Sequence, residues 1–100
     1  MTIEGIIECY CTSDHLDDVK SAILNHWSVS TWDDEVDILT NGYGTDDEPE
    51  DKDVFCDTMA SAVWAVTGEF VDILVRFRKS GTGWYYIKQM TEDDYARLIF

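Results

Sequence analysis

The chain has 100 residues, 45% of them hydrophobic and 13% aromatic, which is one domain with enough apolar side chains for a single core. Seven Lys and Arg against 21 Asp and Glu give a net charge of -14. That excludes direct nucleic-acid binding through a basic surface and opposes adsorption to anionic membranes.

No apolar run approaches the ~20 residues of a membrane span. The opening, MTIEGIIECY, carries acids where an export signal carries bases. Three cysteines, Cys9, Cys11 and Cys56, are a poor disulfide framework. A cytoplasmic chain with buried free thiols is expected.

Residues 2–11 alternate, with Ile3, Gly5, Ile7, Cys9 and Cys11 on one face and Thr2, Glu4, Ile6, Glu8 and Tyr10 on the other. This is the period of a half-buried strand. Thr12, Ser13 and Asp14 offer N-cap chemistry, and Leu16, Val19, Ile23 and Trp27 follow at helical spacing, so a helix is expected over 14–27. Residues 28–31 connect to a second strand over 32–40, whose wet face carries Asp33, Glu35 and Asp37. Asn41-Gly42-Tyr43-Gly44 reads as a turn. The acid-rich run that follows extends it into an acidic loop over 41–53, because like charges repel and little there can be buried.

A helix is expected over 54–67 from the stripe Phe55, Met59, Ala62, Val63 and Val66, with Gly68 as its C-terminal cap. Val71, Ile73, Val75 and Phe77 alternate along a strand over 70–79. Ser80–Gly83 then turns the chain into a returning strand, Trp84–Met90. Thr91 with Asp94 three residues later has the spacing of a capping box opening a short final helix. The order β-α-β-loop-α-β-β-α implies a single α+β domain, one sheet of about four strands packed against two main helices.

The charge is uneven. Residues 1–57 hold sixteen acids and two bases, and residues 58–100 hold five of each. Such asymmetry points to a charged interaction surface. Alternate residues on a strand face stand about 6.8 Å apart, so Asp33, Glu35 and Asp37 would form a row of fixed carboxylates, an imitation of a phosphate backbone in sign and spacing. With Asp46, Asp47, Glu48, Glu50, Asp51 and Asp53 they make the expected contact surface, and Trp32 or Tyr43 the apolar anchor. The partner is a basic nucleic-acid-binding protein or nuclease whose Lys- and Arg-lined groove the acids would occupy. A simpler expectation for the same residues is a solubilising face.

Other chemistry finds less support. An EF-hand loop counted from Asp46 needs Gly at position six and Glu at position twelve, where the chain has Asp51 and Asp57. Cys9, Cys11 and His15 lack a second ligand pair of zinc spacing. His15 and His26 have no nucleophile placed to use them. The Ser80–Gly83 turn lacks the phosphate-loop pattern. No catalytic residue, metal or cofactor is expected.

In size, composition and charge the chain resembles the small acidic DNA-mimic proteins with which phages and mobile elements block host defence nucleases, the anti-restriction and anti-CRISPR proteins. The resemblance implies an inhibitor of a bacterial defence complex, and it rests on no shared motif. Two other readings compete. One is an immunity protein that neutralises a basic nuclease toxin, as barstar-like antidotes, also small and acidic, do. The other is a structural or dimerising module with Trp64, Trp84 and Tyr86 as a candidate exposed patch.

Overall fold

The computed structural model describes residues 1–11, 13–35 and 39–99. Its elements are β1 (Thr2–Tyr10), a 3-10 turn (Ser13–His15), α1 (Leu16–Leu24), β2 (Thr31–Glu35), β3 (Leu39–Asp47), α2 (Lys52–Thr67), β4 (Ile73–Arg78), β5 (Tyr86–Met90) and α3 (Glu92–Ile99). Thr12, Val36, Asp37 and Ile38, expected in a cap and a strand, lie outside the described residues.

The α+β class and the single domain hold, with five strands where about four were expected, and the short final helix is present as α3. Among the described residues the sheet has five strands in the order β2-β3-β1-β4-β5, and every neighbouring pair is antiparallel. β1 is central. It pairs with β3 from Thr2 opposite Asp47 to Tyr10 opposite Leu39, and with β4 from Glu4 opposite Arg78 to Cys9 opposite Ile73.

Period-two alternation along β1 and β4 sorts their side chains. Ile3, Ile7 and Cys9 with Ile73, Val75 and Phe77 face inward, where Met90 of β5 joins them. Val19, Ala22 and Ile23 of α1 and Cys56, Met59, Ala60, Val63 and Trp64 of α2 pack on that face. Trp27 leaves the turn after α1 and meets Phe55 and Phe77 at ring-centroid distances of 5.7 and 5.2 Å. Trp64, offered above as part of a candidate exposed patch, is buried. Tyr95 of α3 and Phe70 cover it, and its indole N–H donates to Val71 O at 2.9 Å. The third helix supplies the cover that α2's own periodicity could not reveal.

The largest correction falls on residues 32–53. The expected strand 32–40 is divided between β2 and β3, and of the expected loop 41–53, residues 41–47 belong to β3 and 52–53 to α2. Gly42 and Gly44 are not turn residues. A Cβ on Gly42 would stand 2.8 Å from the Trp32 ring, and one on Gly44 only 1.8 Å from the Ser28 carbonyl oxygen. Glycine sits in β3 because a ring and a backbone cross it there. Gly68 caps α2 as expected, with φ 70.

Candidate docking surface

The register assigns faces to the acids. Ile3, Gly5, Ile7 and Cys9 of β1 pair with Asp46, Gly44, Gly42 and Thr40, and in turn Gly42 and Thr40 pair with Trp32 and Asp34. Trp32, Asp34 and Asp46 therefore lie on the helix-bearing face, and Asp33, Tyr43 and Asp47 on the other.

Several carboxylates expected at the partner are engaged inside the chain. Asp46 accepts from its neighbour Asp47 N at 2.8 Å and from Ser28 N and Oγ at 3.1 and 2.9 Å. The Asp47 amide and then Ser28 hold its carboxyl below the ordinary range, against the opposing effect of burial. Asp51 caps α2, accepting from Val54 N at 3.0 Å. Glu48 accepts from Tyr85 Oη at 2.5 Å and pairs with Lys52 at 3.6 Å. Asp53 accepts from Tyr86 Oη at 2.7 Å and pairs with Lys88 at 3.5 Å. These four pin the β3–α2 connection to Ser28, to α2 and to the β5 side of the sheet.

Asp33, Asp47 and Glu50 are exposed, and their side chains have no partner among the described residues. Glu35 stands opposite Leu39 in the β2–β3 register, and Asp37 lies outside the described residues. Asp33 is opposite Asn41, six positions along β3 from Asp47, so the two free carboxylates stand about 20 Å apart along the sheet. Trp32 is half-buried under the Lys20 ammonium, 5.2 Å from the ring centroid. Tyr43 is also half-buried.

Sequence reasoning left out the acids at the start of α1. Asp14, Asp17 and Asp18 are exposed or half-exposed and have no side-chain partner among the described residues. Further along the same helix, Lys20 pairs with Asp34 of β2 at 2.6 Å. The signal was in the sequence, as acids in a first helical turn, but it read as helix-dipole chemistry.

The bases are consumed. Lys20, Lys52, Arg76, Arg78, Lys88 and Arg97 all stand in ion pairs with the chain's own acids. Lys79, the seventh, is near Glu48. On the face away from α1 and α2, Arg76 bonds Glu8 at 2.6 Å and Arg78 bonds Glu4. The half-exposed Trp84 lies over both guanidinium groups, 5.1 and 4.6 Å from its ring centroid. Apart from exposed Lys79, the unpaired charge among the described side chains is anionic.

Nucleophile and metal chemistry has little to build on. The three thiols are free and buried. Burial raises the pKa of Cys9 and Cys11 and pushes Cys56 up to about 11, the opposite of an activated thiolate. Among the described residues no group of three His, Cys, Asp or Glu is arranged to hold a metal ion. An open depression of about 300 Å³ is lined by Phe70, Asp72, Gln89, Thr91, Glu92 and Asp93. Among the described residues no helix is long and apolar enough to cross a membrane.

No protein-family model, curated protein or solved structure matches this chain.

Proposed function

We propose that the protein is an acidic inhibitor that docks on the basic nucleic-acid-binding surface of a bacterial defence complex or nuclease and excludes DNA or RNA from it. One observation carries the reading: six of the seven cations are held in internal pairs while Asp14, Asp17, Asp18, Asp33, Asp47 and Glu50 have no side-chain partner among the described residues, so a large anionic surplus faces outward. Solubility requires a net charge of only about 2–8 for a small domain. A surplus of this size costs stability through self-repulsion, and a cationic groove is the partner that would offset it. The acids would set the rate of encounter and its salt dependence. The proposed contact keeps Asp33, Asp47 and Glu50 as its free carboxylates, with Asp46, Glu48, Asp51 and Asp53 shaping the surface from inside. The reading assigns no catalysis to the chain.

The test is affinity capture from a bacterial lysate at low and at moderate salt, followed by elution with duplex DNA. The expected result is a nucleic-acid-binding protein that DNA releases, and whose capture weakens when Asp33, Asp47 and Glu50 are changed together to Lys. Capture that ignores both DNA and charge reversal would show that the acids are a solubilising face.

A further inference from the structure

The sheet ends in two unlike edges. β5 presents Ile87, 62% exposed, and Lys88, which is drawn to Asp53. β2 presents Thr31-Trp32-Asp33-Asp34-Glu35. In an antiparallel sheet, an edge strand leaves the N–H and C=O groups of alternate residues without a neighbour, a template for one more strand.

The β2 edge is built in advance. Its helix-side residues are fastened, with Trp32 seated over Gly42 and Asp34 accepting from Lys20 and Thr40. Five register pairs join it to β3. Asp33, on the other face, is exposed and has no side-chain partner among the described residues. A strand fixed on one side, whose outer main-chain groups have no strand partner among the described residues, pays little ordering cost when it pairs.

From this edge and its charge we infer that β2 accepts an extended, Lys- or Arg-rich segment of the partner as a sixth strand. The inference rests on the acidic-docking reading and names its mode of contact. Charge selects the occupant. Two copies pairing antiparallel through the centre of β2 would set Asp33 against Asp33, and like charges directly opposite are destabilising. A cationic segment converts the same position into attraction. Main-chain hydrogen bonds then supply the affinity, and the carboxylates supply the preference for positive charge.

The experiment titrates isotope-labelled protein with a capped peptide of alternating Lys and Thr, following the amide spectrum. Two further versions of the peptide are N-methylated on the Lys amides or on the Thr amides. The expected shifts centre on Thr31–Asp34. The two methylated versions should differ in affinity by about fivefold or more, because only one edge of an added strand bonds to β2. Asp33→Lys should weaken the parent peptide by about fivefold with a native spectrum, and Asp33→Asn by less. Shifts centred on Asp47–Asp53 or on Tyr86–Met90, equal affinity of the two methylated versions, or no binding would each overturn the inference. Salt-sensitive binding at Asp47–Asp53 would leave the acidic-docking reading standing. Edge binding without DNA-released capture from lysate would remove the nucleic-acid partner and keep the strand site.

Discussion

The Ser28 carbonyl oxygen lies 1.8 Å from where a Cβ of Gly44 would stand, and the same stretch is tied down by Trp27 Nε1 donating to Gly44 O at 3.3 Å and by Asp46. Backbone cannot yield as a flexible side chain does. Gly44→Ala should therefore cost about 3 kcal/mol, the upper end of overpacking effects. Phe77→Ala, which empties the centre of the Trp27–Phe55–Tyr86 aromatic cluster, should cost about 3–5 kcal/mol. Urea unfolding measures both, and a Gly44→Ala protein as stable as the parent would misplace the 28–44 crossing. Acid titration probes the polar residues. Asp34, Asp46 and Asp94 have carboxyl groups held below their ordinary value, chiefly by Lys20, the Asp47 amide and the Thr91 amide in turn. A depressed folded-state pKa gives stability that is present above the unfolded value and lost as pH falls through the folded one. Stability should accordingly decline below about pH 4, the unfolded aspartate value. Asp46→Asn should lower stability at pH 7 and shrink the acid-dependent loss, as urea midpoints at pH 7 and pH 3 would reveal.

Helix ends are the second scale at which single groups can be tested. Asp51 caps α2 through Val54 N, and Thr91 and Asp94 close a reciprocal box at α3, with Thr91 N donating to Asp94 Oδ2 at 2.9 Å and Asp94 N to Thr91 Oγ1 at 3.4 Å. Asp51→Ala and Asp94→Ala should each lower stability by about 1 kcal/mol. Asp94→Ala also frees one side of Arg97, which bridges to Asp57 of α2 at 2.9 Å, so hydrogen exchange should quicken in α3 before α2. The α3 box was readable from spacing, as were the alternation of β1, the Gly68 stop and the β4–β5 hairpin. All are local patterns within a few residues. The division into β2 and β3 was not readable. Gly42 and Gly44 look like turn residues, and their reason for being glycine is Trp32 and Ser28, brought there by tertiary structure. The proposed docking surface divides the same way. Its charge asymmetry is a matter of counting, but the capture of Asp46 by Ser28 and of Asp53 by Tyr86 depends on contacts 18 and 33 residues apart.

Taken as a body, the protein carries -14 charges on a shape of 35 × 29 × 20 Å. Its ion pairs are partly exposed, and pairs of that kind are worth only about 0–1 kcal/mol each. Repulsion among the unpartnered acids is the larger salt-sensitive effect. The melting temperature should rise as sodium chloride goes from about 0.01 to 0.15 M, over which the screening length falls from about 30 to 8 Å. A fall would mean that the internal pairs outweigh the surplus. Asp33→Lys with Asp47→Lys should raise the low-salt melting temperature and flatten its salt response.

The central place of β1 has a consequence for how the chain reaches this state. Its partners are Leu39–Asp47 and Ile73–Arg78, so Glu4 must find Arg78 across 74 residues. No hairpin joins β1 to either neighbour. Contacts this distant in sequence make folding slow, because loop closure must precede any gain from pairing. On the ribosome, Ile7 and Cys9 remain without their β4 neighbours until Val75 and Ile73 have been made. The acids interspersed at Glu4 and Glu8, and the dense negative charge that follows, then keep a waiting apolar strand from meeting its copies on neighbouring nascent chains.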